Sequence, residues 1–452
     1  MKLNYRRTFL IGLAFLSISA FWQTYDNIIP LMLQNTFGLG ETVTGVLMAM
    51  DNVLAIVLLP VFGALSDKVD TRFGKRMPFI VVGTVLAVCF YMLLAAADRS
   101  ANLPLFIVTL FLLLVAMGTY RSPAVALMPD LTPNTLRSKG NAIINLMGAV
   151  GGVYSLIMIQ LLVGDRNATL TYSQASEAEG AAGRMNYTPL FVSVAALMAV
   201  AVLILVLTIR ERRVKEKVAQ EVEQYEKANG LSASESEAQE SNPAPARAMA
   251  PEVRRSMAFL LVSIFLWFTA YNAVTTAFSR YANNVWGLTD GGFASCLMIA
   301  TVAAIISYIP IGQISSRIGR KKTILIGIVL MSLCYFAAIF AKTYEPWING
   351  AFALIGVGWA SINVNSYPMV VEMSKGADIG KFTGTYYTFS MAAQIFTPIF
   401  SGLLLEHISY ATLFPYALAF SMAAFFTMLQ VRHGDVKPAK KKSVLENFDV
   451  DD

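Results

Sequence analysis

Four charged side chains stand inside long apolar runs of this 452-residue chain, namely Asp26, Asp51, Arg121 and Arg280. A charged residue at the centre of a membrane helix costs about 2.5–3.5 kcal/mol on insertion scales, so such residues usually face a cavity or a partner. A carboxylate there could bind and release a proton, and an arginine could hold a substrate oxygen or neutralise an acid. We therefore predict that Asp26, Asp51 and Arg121 carry proton or cation coupling.

Each of these assignments has a structural alternative. Asp26 could be a permanently paired aspartate, Asp51 a hydrated carboxylate near the mouth of the bundle, and Arg121 half of a structural ion pair. The two acids are expected at similar depths, so they could meet and share a proton if the first two helices pack side by side. Arg280 lies near the end of its apolar run, and we predict that its side chain reaches the membrane surface.

Polar and aromatic residues recur at helical spacing in the same runs. Amides, hydroxyls and a flat aromatic surface suit a neutral polar ligand such as a sugar better than an apolar cation. The candidate substrate-binding residues are Trp22, Tyr25, Asn145, Tyr271, Asn272, Trp359, Asn363, Tyr387 and Gln394. For any one of them, hydrogen bonding or packing between helices is an alternative. Gly148 and Gly152, four residues apart, predict a close approach of two helices.

The elements that position these residues are membrane-spanning helices. The chain is 56% hydrophobic and 14% charged, with a mean hydropathy of +0.57, whereas soluble proteins carry about a quarter charged residues. Apolar runs of about 20 residues match the thickness of the hydrocarbon layer, and runs this continuous are helices. Twelve spans are predicted, at about 8–33, 42–63, 78–97, 103–128, 140–163, 187–209, 256–280, 292–312, 323–341, 347–371, 382–406 and 410–431.

The distribution of basic residues predicts the topology. The amino terminus and every second loop after it hold about 29 of the 35 lysines and arginines, which places both termini in the cytoplasm and the protein in the cytoplasmic membrane. We predict an all-α membrane protein with two pseudo-symmetric six-helix bundles. The predicted domains are an amino-terminal bundle (1–209), a partly disordered cytoplasmic linker (210–255), a carboxy-terminal bundle (256–431) and a cytoplasmic tail (432–452).

A basic loop, GALSDKVDTRFGKRMP at 63–78, follows the second span, and a fainter copy, GQISSRIGRKK at 312–322, follows the eighth. Acids also end the fourth and tenth spans. A gate role is favoured for Asp67 and Arg76, while topology and solubility are the ordinary alternative for such charges. The full set of candidate gate residues is Gly63, Asp67, Arg72, Gly74, Arg76, Asp130, Arg137 and Glu372.

The first basic loop resembles the G-x-x-x-D-[RK]-x-G-[RK]-[RK] signature of the major facilitator superfamily, with a three-residue expansion. The expanded loop and the segment SPAVALMPDL resemble the branch of sucrose transporters and glycoside–pentoside–hexuronide:cation symporters. The resemblance implies transport by alternating access, with the loop residues forming salt bridges that close the inner gate. The chain departs from the branch at Val125, where sucrose transporters carry an arginine, and at Asp51, which lacks the second aspartate of sodium-dependent melibiose carriers.

The sequence gives no support to an enzyme. It has only two histidines and no phosphate-binding P-loop, so we expect no metal site and no cofactor. Because the basic residues concentrate in loops, membrane topology and anionic lipid explain them, and we expect no nucleic-acid partner. The expected partners are the lipid bilayer, a small-molecule substrate such as a sugar, and H⁺ in preference to Na⁺, with the monomer as the functional unit. The prediction is a proton-coupled secondary transporter of a small polar solute. A proton-coupled exporter of sugars or drugs and a non-transporting membrane sensor are the alternatives.

Overall fold

The computed structural model describes residues 3–133, 136–163, 185–229, 250–288, 291–373 and 379–435. Within these ranges the chain forms thirteen α-helices. They are α1 (Tyr5–Asn35), α2 (Glu41–Lys68), α3 (Met77–Arg99), α4 (Leu103–Asp130), α5 (Arg137–Leu162), α6 (Thr188–Thr208), α7 (Glu211–Asn229), α8 (Pro251–Trp286), α9 (Phe293–Ile318), α10 (Arg320–Ile339), α11 (Trp347–Met373), α12 (Ile379–His407) and α13 (Leu413–Leu429). A 3₁₀ turn at Tyr410–Thr412 precedes α13.

Twelve of the described helices are long and apolar enough to cross a membrane, and α7 is the polar exception. The prediction of an all-α protein with twelve spans is confirmed. Several helices extend beyond the predicted spans, because polar residues continue a helix past the hydrocarbon layer. Helix α8 runs six residues past Arg280 and ends at Gly287, whose φ of +63° is the left-handed geometry typical of a helix stop.

The helices pack as two groups of six with matching arrangements. In the first group α1 packs on α5 and α6, α3 packs on α4 and α6, and α2 packs on α4. In the second, α8 packs on α12 and α13, α10 packs on α11 and α13, and α9 packs on α11. The main contacts between the groups join α2 to α12, α5 to α9 and α1 to α8. We call these groups the first half and the second half.

Glycine allows α1 and α5 to approach within backbone contact. A Cβ atom added to Gly151 would lie 2.0 Å from the carbonyl oxygen of Leu16, and one added to Gly148 would lie 2.9 Å from the hydroxyl of Ser19. At Gly152 the nearest atom would be 3.6 Å away. The prediction of a close approach on this helix is therefore right for Gly148, but the tightest contact falls on Gly151 and not on Gly152.

Among the described residues, close backbone contacts between the two halves lie towards one end of the molecule. We call the end with the 63–78 loop the basic-loop end, and the other the opposite end. Gly45 of α2 faces the carbonyl of Pro398 on α12, and Gly291 faces the carbonyl of Ile159 on α5, both towards the opposite end. The ion pairs described at the basic-loop end each lie within one half. The described contacts thus close the opposite end.

Candidate functional site

The first half brings its three predicted charged residues into one cluster. Helices α1, α2 and α4 supply Asp26, Asp51 and Arg121, and each of the three interacts electrostatically with the other two. The guanidinium carbon of Arg121 also lies 5.7 Å from the ring centroid of Trp22, within cation–π range. The structure therefore places together the residues to which the sequence assigned coupling.

None of these charges is directly paired within the described residues. Arg121 forms no salt bridge with either acid, since none of its nitrogens lies within 4.0 Å of their carboxylate oxygens. All three side chains are partly exposed. Asp51 accepts two hydrogen bonds, at 2.6 and 2.7 Å, from the neighbouring Asn52. Charges that are open and unpaired at this depth are available to a proton or a solute, which a permanently paired aspartate would not be.

Tyr25 adds a hydroxyl to the cluster. Its side chain is fully buried, its hydroxyl has no hydrogen-bond partner, and it interacts electrostatically with Asp26 and Asp51. The indole nitrogen of Trp22 is likewise unpartnered, and its ring packs edge-on against Tyr25 at 5.3 Å. Buried polar atoms are rarely left without a partner. These two donors are therefore candidates for bonding a ligand or water.

The second half carries a flat aromatic surface. Tyr271 of α8 and Trp359 of α11 stack with their ring centroids 3.8 Å apart and their planes 4° from parallel. Phe268 packs edge-on against the same indole at 5.2 Å and fixes its orientation. Both stacked rings remain partly exposed. A rigid ring pair of this kind offers an apolar face of defined orientation to a bound solute.

Amides flank the stacked pair. Asn272 follows Tyr271 on α8, and its side-chain nitrogen is buried without a partner. Asn363 lies one turn after Trp359 on α11 and is 9% exposed. Tyr387 of α12 packs edge-on against Tyr386, whose hydroxyl lies 3.2 Å from that of Ser366 on α11. The remaining predicted residues, Asn145 on α5 and Gln394 on α12, are partly exposed.

The two sets occupy matching positions in the two halves. The sequence W-x-T-x-x-N occurs in α1 at 22–27 and in α8 at 267–272, an internal repeat that aligns Asp26 with Tyr271. The two helices contact one another across the halves. An acid in the first half is thus matched by an aromatic ring in the second.

At the basic-loop end, Arg76 is the centre of an ion-pair network within the first half. Its guanidinium contacts Asp67 at 2.5 Å and Asp130 at 2.8 Å, and it also bonds the hydroxyl of Ser66 and the carbonyl of Gly63. The arginine is 7% exposed, whereas the side chain of Asp67 is 63% exposed. Arg76, a residue of the loop signature, therefore links the end of α2 and the end of α4 to the start of α3.

The acid that caps α3 was not predicted. Glu211, the first residue of α7, is 4% exposed and accepts the backbone N–H groups of Lys75, Arg76 and Met77 at 2.8–3.2 Å. A carboxylate at the first turn of a helix satisfies its free N–H groups and complements its dipole. Gly74 makes room for this acid, since its φ is +114° and an added Cβ would lie 2.2 Å from the Glu211 carboxylate.

The second half repeats the arrangement. Asp435, which follows α13, accepts the backbone N–H of Lys321 at 2.9 Å at the start of α10. Gly319, with a φ of +99°, stands beside that acid as Gly74 stands beside Glu211. The sequence does not distinguish either acid, because each lies outside the apolar runs among other charges. The signal that the sequence does contain is one glycine in each basic loop, Gly74 and Gly319, just before the start of the helix that the acid caps.

The other predicted gate residues are placed as follows. Glu372 pairs with Arg320 at 2.6 Å within the second half, and Arg72 lies over the ring of Phe73 without contacting an acid among the described residues. Arg137 begins α5, and its side chain lies outside the described residues. Their roles in a gate stay predictions.

Comparison with known families decides the class of protein. The sequence profile of the Major Facilitator Superfamily matches residues 11–366, and matches again over 296–448. The chain belongs to the Major Facilitator Superfamily. It is therefore a multi-pass membrane transporter and not an enzyme, as the loop signature had indicated.

Relatives of this transporter are distant, and their names describe different functions. It is 27% identical over 100 residues to the chloramphenicol resistance protein CraA of Acinetobacter baumannii, a match that covers 22% of this chain and 24% of CraA. It is 26% identical over 137 residues to the sucrose transport protein SUC3 of Arabidopsis thaliana, covering 26% and 23% of the two chains. Each match spans about a quarter of the relative's own length.

Solved structures share the fold over nearly the whole transporter. A proton-dependent oligopeptide transporter superposes with a TM-score of 0.66 at 13% identity, covering 95% of this chain and 98% of the other. The xylose transporter XylE of E. coli, in an inward-open conformation, superposes with a TM-score of 0.63 at 15% identity, covering 97% of both chains. At such identities the likeness establishes the fold alone.

Arg280 overturns one expectation from the sequence. It was predicted to reach the membrane surface, but it is 3% exposed and pairs with Glu41 at 2.8 Å. The reason is that α8 continues past it to Trp286 and that α2 of the other half begins beside it with an acid.

The Arg76 network leads to a prediction for the transport cycle. We expect Asp67→Ala to lower turnover about fivefold without changing which solutes are carried, since an exposed ion pair contributes about 1 kcal/mol. Initial uptake rates into proteoliposomes, measured for two competing solutes, would test this.

Asp70→Ala is the matched control for Asp67→Ala. Asp70 lies in the same loop and pairs with Arg212 at 2.9 Å, and this hydrogen bond lowers the pKa of its carboxyl. Both substitutions therefore remove one negative charge, but only Asp67→Ala removes a charge that pairs with Arg76. Equal turnover of the two variants would remove the gate assignment from Asp67.

Proposed function

We propose that this transporter moves a small polar solute, most simply a sugar or glycoside, together with a proton. The observation that carries the proposal is the unpaired charge cluster of the first half beside an aromatic and amide surface in the second. A proton binds to a carboxylate that can change its charge. A neutral sugar ring binds to a flat apolar face that is flanked by amides able to hydrogen-bond its hydroxyl groups. The two halves would supply one requirement each.

Coupling follows if both ligands favour the same conformational change. A ligand shifts a conformational equilibrium only by its difference in affinity for the two states, and such linkage is reciprocal. In our proposal a proton on Asp26 or Asp51 weakens the attraction of the acids for Arg121 and frees that arginine to bond a solute oxygen. Solute and proton would then load together, and the halves would rock around the site between them.

The orientation proposed for this cycle places the basic-loop end in the cytoplasm, because lysine and arginine concentrate there. The conformation described here, closed at the opposite end, would then correspond to a state that is open towards the cytoplasm. Both termini would be cytoplasmic, and the membrane would be the cytoplasmic membrane.

Uptake by proteoliposomes tests the proposal. Labelled mono- and disaccharides would be offered to vesicles with an imposed inward proton gradient and no sodium. We expect one sugar to accumulate in a gradient-dependent manner, up to about tenfold for one pH unit if one proton moves with each sugar. Accumulation that requires sodium would support a sugar as the substrate but would reject the proton as the coupling ion. No accumulation of any sugar would reject the proposed substrate class.

Export is the second candidate function, favoured by the match to a chloramphenicol resistance protein. The same vesicles distinguish it if the proton gradient is imposed in both directions and chloramphenicol joins the panel of solutes. If chloramphenicol moved in the direction opposite to the proton and no sugar had an effect, proton-driven drug export would replace sugar–proton symport as the proposed function.

A further inference from the structure

Glu41 joins the two halves at the opposite end. It is the first residue of α2, its side chain is 4% exposed, and its carboxylate accepts a hydrogen bond from Nε of Arg280 at 2.8 Å. The other carboxylate oxygen accepts a bond from the hydroxyl of Tyr410 at 2.5 Å. Glu41 belongs to the first half, and both of its partners belong to the second.

A second carboxylate crosses the same boundary in the other direction. Glu406, near the end of α12, accepts the backbone N–H of Thr42 at 2.7 Å and so caps the start of α2. Gly40 leaves space for it, since an added Cβ would lie 2.3 Å from the Glu406 carboxylate. Each half thus extends an acid into the other.

The backbones of α2 and α12 are close enough to seal this end. An added Cβ on Gly45 would lie 2.0 Å from the carbonyl oxygen of Pro398, and one on Gly402 would lie 2.6 Å from the carbonyl oxygen of Glu41. Real Cβ atoms do not approach other atoms so closely, so the contact requires glycine at both positions. The two helices can meet in this way only while this end is shut.

A buried ion pair between the halves suits a contact that must open and close. While the pair is intact each charge has its partner, and when the halves separate both charges return to water together. Removing one partner by mutation is different, because it leaves the other charge buried without compensation. The intact pair therefore permits both states, whereas a broken pair disfavours the closed one.

We infer that Glu41, Arg280 and Tyr410 form a latch that holds the opposite end of this transporter closed, with Gly45 as the point where α2 and α12 close on one another. The inference goes beyond the proposed function, since it needs two alternating states but no particular solute or ion. These residues act by positioning the halves and touch no solute in our scheme.

Distances between spin labels test the latch without any substrate. Labels would be attached at Leu105→Cys and Thr343→Cys, exposed positions at the opposite end of the first and second half, in a Cys89→Ser background. Cys296 and Cys334 are buried. We expect Glu41→Gln and Arg280→Met to raise the ratio of open to closed populations at this end about tenfold, the shift for a coupling of ~1.4 kcal/mol.

Gly45→Ala provides a second route to the same result. It leaves the ion pair untouched but forces α2 away from Pro398, so it too should increase the open population. Gly350→Ala, where nothing lies within 4 Å of the added Cβ, is the matched control and should leave the distances unchanged. Unchanged label distances in both Glu41→Gln and Gly45→Ala, with unchanged melting temperatures, would overturn the latch. A failed sugar panel would not affect this outcome.

Discussion

Asp26→Asn is expected to abolish accumulation of solute against its gradient while exchange of solute across the membrane continues. The amide has nearly the shape of the carboxylate but cannot take up and release a proton, so the shape of the site is kept and the coupling is lost. With an imposed gradient of one pH unit, we expect accumulation to fall from about tenfold to no accumulation. The measurement is uptake into proteoliposomes of the solute identified by the panel, alongside counterflow of the same solute at equal pH.

Asp98→Asn is the matched control for this loss. Asp98 also lies in a described membrane helix, but it is 4% exposed and accepts a hydrogen bond from the hydroxyl of Thr36 at 2.6 Å, a bond that an amide oxygen can also accept. This variant should still accumulate solute. If Asp26→Asn accumulated solute as well as Asp98→Asn does, Asp26 would not be the coupling acid, and Asp51 would be the next to test.

Gly74→Ala is expected to destabilise the first half more than any other single methyl addition in the basic loop. The added Cβ would collide with the Glu211 carboxylate and displace it from the start of α3. Loss of such a cap costs about 0.5–2 kcal/mol, and a non-glycine residue at a strained positive φ costs about 1–3 kcal/mol more. We expect a total loss of about 1.5–5 kcal/mol, measured as a fall in the thermal unfolding midpoint in detergent.

Two other variants separate the causes of this loss. Gly38→Ala also places alanine at a positive φ, +65°, but nothing lies within 4 Å of the added Cβ, so it reports backbone strain alone. Glu211→Ala removes the cap without any strain. We expect Gly74→Ala to fall below both variants. A midpoint no lower than that of Gly38→Ala would show that the Glu211 contact does not stabilise the protein.

What the sequence made predictable was local or periodic. The length of the apolar runs was enough to predict the twelve helices. The rarity of charged residues within these runs singled out Asp26, Asp51 and Arg121. Their cluster could be anticipated because charges in an apolar setting seek one another or a cavity. The stack of Tyr271 on Trp359 could be anticipated only in part, since helical spacing puts residues on a face without saying which face they meet.

What the sequence did not disclose was pairing over long separations. Glu41 and Arg280 are 239 residues apart, and Glu211 lies 136 residues beyond the N–H of Lys75. Each of these acids stands at a helix end, where charges are common and most are simply solvated. Glu41 has a partner only because α2 packs against the second half. Glu211 has partners only because the chain returns to the start of α3 after α6.

The two acidic caps change where this chain could be divided. The apolar spans of the predicted bundles end at 209 and 431, but Glu211 and Asp435 lie beyond those limits and complete α3 and α10. A fragment cut at the membrane boundary would lose the acid that fastens its own third helix. Separately expressed halves therefore need to keep the turn that follows the sixth helix, so the natural module is six helices together with the segment that leaves them.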